Sequence, residues 1–332
     1  MNTLSLIVPT YNRVIYLDQI LRFVEVSKFK YLREIIVVDS DSNDGTSRLI
    51  ENYKKNFPID IIYKNVKNSI SIKRNVGIKL SSSDFLIFLD DDCVPQKNFF
   101  HYHYEACSRY EKSINCGNIF FEKKSTQNSN FINYRNSRHI PFLNLDGEMK
   151  ELGFQHIVTM NMSLRKKDLI QNKLLFDEDF LAYGMEDNYF GLEAIKKGFK
   201  IYTNQASIIH YDYKGISLHL KKLYLTSKNG VKIFKFKDYD SSFKLSYSYF
   251  LEHDYKHKNI IESFFTCIIR NLLFVKVSYL LIIFLNFTDK YSSLYFRFIY
   301  RYVSATFYYR GIKDRHDPKK NMKLNISNWY NI

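Results

Sequence analysis

Three consecutive carboxylates follow a strongly apolar stretch near the middle of the first half of the chain. The run FLIFLD (residues 85–90) leads directly into Asp90, Asp91 and Asp92. Carboxylates held side by side repel unless a cation lies between them, so Asp90 and Asp92 predict a divalent metal bound by oxygen ligands. Asp91, in the intervening position, is expected to point elsewhere. The alternative is a solvated acidic turn that caps the helix expected near Pro95.

A second acidic group follows an earlier apolar run. Asp39 and Asp41 lie at the end of EIIVVDS (34–40) and just beyond it, and Asp44 precedes Thr46 at a natural helix start. Asp44 is explained as an N-cap. Asp39 is a candidate ligand residue, because a carboxylate at the carboxyl end of a strand can accept a hydrogen bond from a ribose hydroxyl or a ring N–H.

Two further segments direct polar groups toward the same place. Thr10 and Tyr11 follow the first apolar run in VPTYNR, and Arg74 lies near the start of a predicted helix in SIKRNVGI. A guanidinium and the N–H groups of a helix N-terminus can together bind a phosphate. These segments predict a pocket for a nucleotide diphosphate and a metal.

The elements that must position these residues alternate in type through the first 120 residues. Apolar runs of strand length are LSLIVPT (4–10), EIIVVDS (34–40), DIIYKN (60–65), FLIFLD (85–90) and NCGNIFFE (115–122). Helices are expected near 14–27, 44–56, 70–81 and 97–111. This alternation predicts an α/β fold with a mainly parallel sheet covered by helices.

The second half of the chain changes character. Residues 123–150 are polar and poorly periodic, which predicts a long loop. A strand-like run covers 157–166, and a helix is expected to open near Met185 and end before Gly198. From about Gly215 the composition predicts helices rich in Lys, Tyr and Phe. We therefore divide the chain into a catalytic domain, 1–213, and a basic helical region, 214–332.

The ordered motifs resemble a known family. LSLIVPTYNR, EIIVVDSDSNDGT, KRNVGI and FLIFLDDDCVP are together similar to the nucleotide-binding half of the family 2 glycosyltransferases, which have the GT-A fold. Downstream, NMSLRK, LLFDEDFLAYGMEDNYFGLEAIKKGFKI and ASIIHYD resemble acceptor-side motifs shared with the galactosyltransferase-like C-terminal module. The resemblance covers about residues 3–211.

This resemblance implies roles for individual residues. Metal or diphosphate ligands would be Asp92, His210 and Asp90, with Mn²⁺ or Mg²⁺ as the cofactor. Asp187 would be the general base, and Glu186 would contact the acceptor. The implied donor-binding residues are Pro9, Thr10, Tyr11, Arg13, Asp39, Asp41, Arg74, Asp90 and Asp91.

Simpler explanations exist for the downstream residues. Glu186 and Asp187 are also the charges that a helix favours in its first turn, where the macrodipole stabilises acids. An isolated histidine such as His210 is more often structural than a ligand. Glu186, Asp187 and His210 lie downstream of the nucleotide-binding motifs in the chain, and this position favours the functional interpretation.

Composition limits the possible classes and partners. A hydrophobic content of 45% indicates a globular chain, and the net charge of +15 is uneven. Residues 1–210 carry 28 basic and 25 acidic side chains, whereas residues 211–332 carry 21 and 9. Such a surplus suits an anionic membrane surface or an anionic substrate. We expect no nucleic-acid partner, because the basic residues are dispersed over several helices without a recognised module.

The segment 266–287 is the most apolar in the chain, but Arg270, Asn271 and Lys276 interrupt it. A spanning helix needs about 20 predominantly apolar residues, so a buried or interfacial helix is favoured. The N-terminus shows no signal-peptide pattern, and the cysteines show no disulfide framework. We expect a cytoplasmic protein, peripheral on the inner face of the cytoplasmic membrane.

The predicted activity is inverting, metal-dependent transfer of a hexosyl or N-acetylhexosaminyl group from a nucleotide-diphosphate sugar, with UDP favoured. The acceptor would be a saccharide or a lipid-linked saccharide in surface glycan, capsule or lipooligosaccharide synthesis. A sugar nucleotidyltransferase is disfavoured, because PTYNR stands where a glycine-rich phosphate loop would follow the first strand. A non-catalytic scaffold with the same fold is the remaining alternative.

Overall fold

The computed structural model describes residues 1–121, 129–181, 184–211, 215–255, 260–289, 291 and 294–316. The strands are β1 Leu4–Pro9, β2 Leu32–Asp39, β3 Asp60–Asn65, β4 Phe85–Leu89, β5 Cys93–Pro95, β6 Ser113–Phe121, β7 Glu151–Leu152, β8 Asn161–Arg165 and β9 Lys200–His210. The helices through the sheet region are α1 Val14–Ser27, α2 Thr46–Lys54, α3 Ile70–Leu80, α4 Phe99–Arg109, α5 Ser129–His139, α6 Lys166–Gln171 and α7 Glu186–Lys196.

The strands form one nine-stranded sheet in the order β3-β2-β1-β4-β8-β6-β9-β5, with β7 paired to β9. The pairs β2–β3, β1–β2 and β1–β4 are parallel, as the alternation of strands and helices predicts. Strand β8 is antiparallel to both β4 and β6, and β5 is antiparallel to β9. The sheet is therefore parallel where the nucleotide-binding motifs lie and mixed beyond them.

Burial on both faces explains why the central strands are continuously apolar. In β1, Leu6 and Val8 pack in one hydrophobic cluster with α1 and α4, while Ile7 packs in the cluster on the opposite face. Strand β2 alternates in the same way, with Val37 on the first face and Val38 on the second. The side-chain period of two thus divides each strand between two cores.

The structure differs from the sequence-based expectations at two places before residue 211. Residues 129–139 form helix α5 rather than loop, whereas 123–128 of the predicted loop lie outside the described residues. Phe131 and Tyr134, both buried, attach α5 to the C-terminal helices, so tertiary packing overrides a polar sequence. The acids 90–92 lead into the short strand β5, and the following helix begins only at Phe99.

The C-terminal part is helical, as predicted. It contains α8 Gly215–Leu225, a π-helical turn Thr226–Gly230, α9 Val231–Lys237, α10 Tyr239–Ser242, α11 Ser248–Leu251, α12 Ile260–Leu272, α13 Val275–Thr288 and α14 Arg297–Lys313. Helix α14 packs along α8, and both contribute to a cluster with α5 and α13. The boundary at 213/214 remains a prediction.

The apolar segment 266–287 is two helices instead of one. Helices α12 and α13 are bent by 68° at the break between them, and among the described residues no single helix is long and apolar enough to cross a membrane. Arg270 donates to the carbonyl oxygens of Phe250 and Glu252, which fixes the end of α12. The alternative of an ordinary buried helix is wrong, because Thr266 is the one buried residue of α12.

Candidate functional site

The parallel register brings three strand ends to one edge of the sheet. Pro9 of β1 pairs with Val38 of β2, and Ile7 pairs with Phe88 of β4. The residues that follow these strands therefore lie side by side, as expected for the carboxyl edge of a parallel sheet.

Asp91 joins two of the loops at this edge. Its carboxylate accepts a hydrogen bond from the hydroxyl of Thr10 (2.8 Å) and one from the backbone N–H of Tyr11 (3.2 Å). Burial raises the pKa of Asp91 to about 6, although the nearby guanidinium of Arg13 opposes the shift. The middle acid of the triplet thus fixes the loop after β1 instead of pointing into solvent.

Asp92 forms a separate group with Arg13 and His210. Its carboxylate accepts a hydrogen bond from Arg13, and Nε2 of His210 lies 3.2 Å from the other oxygen. The antiparallel pairing of β5 and β9 sets Cys93 directly opposite His210, which explains how a residue so distant in sequence arrives here. Burial would raise the pKa of Asp92, but His210 and Arg13 hold it well below its usual range.

This group fits a divalent cation. Ligand atoms of Asp92, Cys93 and His210 all lie within 4.8 Å of one another. A carboxylate and an imidazole are common ligands of transition-metal ions such as Mn²⁺, and Nδ1 of His210 is buried without a hydrogen-bond partner. The guanidinium of Arg13 already supplies positive charge to the same carboxylate. Asp90, predicted as a further metal ligand, does not belong to this group and has other bonding partners.

Arg74 binds carboxylates from two distant parts of the chain. One terminal nitrogen donates to Asp187 (2.7 Å) and the other to Asp90 (3.1 Å), and Glu186 lies 3.8 Å away. The Arg74 side chain is only 2% exposed. Burial would lower the pKa of Arg74, but Asp187, Asp90 and Glu186 outweigh that effect and raise it. Arg74 therefore connects the acid after β4 to the acid pair at the start of α7.

Asp187 and Glu186 have different surroundings despite being adjacent. Asp187 accepts hydrogen bonds from Arg74 and from the hydroxyl of Thr159 (2.7 Å), and its side chain is 24% exposed. Glu186 is buried, and burial together with the charge of Asp187 raises its pKa to about 8. Asp187 is thus oriented and partly accessible, whereas Glu186 holds a proton at neutral pH.

Asp39 holds its own loop in place. It accepts hydrogen bonds from the backbone N–H and hydroxyl of Ser42 and from the Tyr63 hydroxyl (2.6 Å), and its side chain is buried. Asp41 is exposed, with a positive φ of 55°. The structure places both residues at the predicted edge, and their contact with a donor stays a prediction.

Sequence reasoning missed Lys73. Its ammonium group donates to the carbonyl oxygen of Thr10 (2.7 Å) and lies 5.7 Å from the ring centre of Tyr11. Burial lowers the pKa of Lys73 to about 8, against the opposing charges of Asp91 and Asp39. The run KRN contained this residue, but helical periodicity alone could not show that two successive cations both turn toward the site.

Thr159 and the glycines beside α7 were also missed, and they position the acid pair. Gly184 and Met185 both have positive φ, at 97° and 77°, immediately before Glu186. A Cβ on Gly184 would meet the Thr226 side chain, and a Cβ on Gly230 would overlap the Gly184 carbonyl oxygen. The π-helical turn of the C-terminal region thus packs directly against the backbone that starts α7.

Comparison with known proteins identifies the family. The model of glycosyl transferase family 2 matches residues 5–171. The chain belongs to this family, and it is a glycosyltransferase with the GT-A fold and a helical C-terminal region.

Several named proteins are similar in sequence. A dolichyl N-acetyl-alpha-D-glucosaminyl phosphate 3-beta-D-2,3-diacetamido-2,3-dideoxy-beta-D-glucuronosyltransferase of Methanococcus voltae is 28% identical over 218 residues, covering 64% of this chain and 67% of that protein. The minor teichoic acid biosynthesis protein GgaB of Bacillus subtilis is 26% identical, covering 78% of this chain and 29% of its own length. A GalNAc(5)-diNAcBac-PP-undecaprenol beta-1,3-glucosyltransferase of Campylobacter jejuni is 36% identical over 94 residues, covering 28% of this chain and 30% of its own length.

Two solved structures share the fold. Residues 1–349 of S. aureus TarS superpose with a TM-score of 0.50 at 16% identity, covering 94% of this chain and 90% of that one. GalNAc-T7, solved with UDP, GalNAc and Mn²⁺, gives a TM-score of 0.52 at 14% identity, covering 76% and 57%. At these identities the likeness supports the fold alone.

The contact between Gly184 and Gly230 predicts that the C-terminal region controls catalysis. Gly230→Ala should push the start of α7 away from Arg74, because its Cβ overlaps the Gly184 carbonyl oxygen. We expect kcat to fall on the order of tenfold, as for other small displacements of reacting groups, with the donor KM changed much less. Steady-state kinetics provide the measurement.

Gly311→Ala is the matched control for this variant. Its Cβ would overlap Ser227 and the carbonyl oxygen of Tyr224, so it disturbs the same helical packing without touching Gly184. Equal losses of kcat in the two variants, at equal thermal stability, would show that general destabilisation is responsible.

Glu186 makes stability depend on pH. Its pKa is about 8 in the folded protein against 4.5 for the free side chain, so between these values the folded state holds a proton that the unfolded chain has lost. The free energy of unfolding should therefore decrease as pH rises through this window. Glu186→Gln removes the titrating group, so its stability relative to the wild type should increase with pH in urea denaturation. If the difference in free energy of unfolding between Glu186→Gln and the wild type stayed constant from pH 5 to 8, that would contradict the raised pKa. Glu193→Gln, farther along α7, serves as the control.

Proposed function

We propose that this glycosyltransferase moves a hexosyl or N-acetylhexosaminyl group from a nucleotide-diphosphate sugar, with inversion at the anomeric carbon and with dependence on Mn²⁺ or Mg²⁺. The observation that carries the proposal is that Arg74 joins Asp90, in the acidic run 90–92, to Asp187 at the start of α7. Asp92 and His210 form a group suited to a cation, and Asp187 is a partly exposed carboxyl group outside it.

The donor would bind at the carboxyl edge of β1, β2 and β4. Pro9, Thr10 and Tyr11 supply the loop that Asp91 and Lys73 fix, and Asp39 lies at the neighbouring strand end. The positively charged side chains of Arg13 and Lys73 at this edge suit the binding of a diphosphate. UDP remains the favoured nucleotide, with Asp41 and Asp90 as further donor contacts.

Asp92 and His210 would hold the divalent ion. A bound Mn²⁺ or Mg²⁺ supplies Lewis-acid stabilisation to the negative charge of a diphosphate leaving group. The residues of the chain contribute orientation: Arg13 binds Asp92, and the β5–β9 pairing fixes His210 beside it. Because these side chains are already held in position, less free energy is needed to assemble the metal site.

Asp187 would act as the general base. An acceptor hydroxyl must lose its proton as it attacks the anomeric carbon, and a positioned carboxylate can accept it. Arg74 and Thr159 orient one oxygen of Asp187, and the raised pKa of Glu186 keeps that neighbour neutral and able to donate a hydrogen bond to the acceptor. Direct attack from the face opposite the leaving group gives inversion.

The names of the relatives support the acceptor class. The proteins of Methanococcus voltae and Campylobacter jejuni carry names that specify a dolichyl phosphate and an undecaprenol diphosphate acceptor, and GgaB is named for teichoic acid biosynthesis. We infer a saccharide or lipid-linked saccharide acceptor in surface glycan synthesis, used by a cytoplasmic enzyme at the inner face of the membrane.

A screen of nucleotide sugars tests this proposal. We expect one donor to bind in isothermal titration calorimetry with Mn²⁺, and binding to be lost with EDTA or in Asp92→Asn. Asp187→Asn should keep donor binding within about twofold while transfer to the acceptor falls about 10²–10⁴-fold, the usual contribution of a general base. Glu193→Gln on the same helix should leave both unchanged.

Three results would contradict the assignment. Donor binding that survives both EDTA and Asp92→Asn would remove the metal group from the site. Loss of donor binding in Asp187→Asn would make Asp187 a donor ligand instead of a base. Binding of no nucleotide sugar by the folded wild-type protein would overturn the proposed reaction.

A further inference from the structure

Helices α12 and α13 carry an extended apolar surface that faces outward. Ile260 is 87% exposed and Leu280 is 69% exposed, which is unusual for side chains of this size in a globular protein. The α12–α13 apolar surface consists of Ile260, Ile261, Phe264, Phe265, Ile268, Ile269, Leu272, Phe274, Val277, Tyr279, Leu280, Ile283, Phe284 and Phe287.

Helix α12 is oriented with its polar side toward the protein. Glu262, Thr266 and Arg270 recur at intervals of four residues and lie on one face. Thr266 is buried, and Arg270 donates to the carbonyl oxygens of Phe250 (3.0 Å) and Glu252 (2.6 Å). A water-facing amphipathic helix has the reverse arrangement, so the outer face of α12 is suited to a non-aqueous environment.

Helix α13 repeats this arrangement. Ser278, Leu285 and Thr288 are buried against the rest of the protein, whereas Leu280, Ile283 and Phe287 are 69%, 66% and 65% exposed. Two of the three buried side chains are small and polar, and small residues inside with large apolar residues outside are typical of helices whose outer surface contacts lipid.

We propose that the α12–α13 apolar surface inserts into one leaflet of an anionic lipid bilayer. The helices have 13 and 14 residues, so each is about 20 Å long at 1.5 Å per residue, well short of the roughly 30 Å hydrocarbon core. As a pair they have the length and composition of a broken span or a re-entrant loop, and the bend of 68° between them favours two helices that lie in one leaflet.

The charge distribution favours an anionic lipid surface over a second protein chain. Residues 211–332 carry 21 basic and 9 acidic side chains. Lys276, within the apolar surface near the bend, and Arg297 and Arg301, which follow it in α14, are exposed cations. Cations beside inserted apolar side chains provide the two attractions that stable interfacial binding needs.

Contacts connect this surface to the candidate active site. The backbone N–H of Phe131 in α5 donates to Asp289 at the end of α13, and the other end of α5 bonds to β6 through Asn136 and Phe121. The Phe121 ring packs on His210 (5.1 Å between ring centres). If the proposed function holds, membrane insertion would therefore hold the donor site near a lipid-linked acceptor.

Flotation of the full-length protein with lipid vesicles tests the proposal. One set of vesicles contains phosphatidylcholine alone, and the other contains equal parts of phosphatidylcholine and phosphatidylglycerol. We expect the wild type to float with the anionic vesicles and less with the neutral ones. Phe264→Glu and Leu280→Glu should each reduce partitioning about tenfold or more, because each removes a large apolar side chain from the hydrocarbon.

Val26→Glu is the matched control, since Val26 is a 79% exposed apolar residue of α1 in the sheet region. It should float like the wild type. Circular dichroism and Mn²⁺-dependent donor binding should be unchanged in all three variants, which separates failure of membrane binding from failure of the proposed function.

Three results would overturn membrane insertion. The wild type could fail to float with either vesicle, or Phe264→Glu and Leu280→Glu could float as well as the wild type. A concentration-dependent dimer in analytical ultracentrifugation that Leu280→Glu abolishes, together with no flotation, would show that a second copy of the chain covers this surface.

Discussion

The buried guanidinium of Arg74 is the interaction on which the site depends. Asp90 follows β4, and Asp187 begins α7 almost a hundred residues later, yet both bind the same side chain. A buried cation without these partners would carry a large desolvation cost, so loss of either carboxylate leaves an uncompensated charge. The donor-side edge of the sheet and the proposed base are therefore fixed relative to each other by one residue.

Three further constraints hold the site together. Asp91 bonds the loop after β1 to the loop after β4, and the β5–β9 pairing brings His210 to Asp92. The C-terminal helices supply the last one, because their π-helical turn packs on Gly184 just before α7. The helical region therefore has two roles: it supports the acid pair and carries the apolar surface of α12 and α13.

The local parts of this arrangement were predictable from the sequence. Strands such as β1 and β4 are buried on both faces and so have continuous apolar runs, and α1 has the predicted bounds of 14–27. Long-range partners were not predictable, since nothing local in KRN indicates that Arg74 meets Asp187. Helix α5 was missed because its stability comes from packing on α13 and α14 rather than from its own polar sequence. The break between α12 and α13 was missed for the same reason, because Arg270 ends α12 by contacts with residues 250 and 252.

The central claim is that Arg74 couples the donor side of the site to the base. The most direct test measures Arg74→Lys for both donor affinity and transfer rate, with folding checked by thermal unfolding. A lysine keeps the charge but cannot bind two carboxylates in the planar geometry of a guanidinium. We predict that donor binding weakens and that kcat falls together in this variant. Wild-type transfer by Arg74→Lys, or a defect confined to donor binding, would contradict the account.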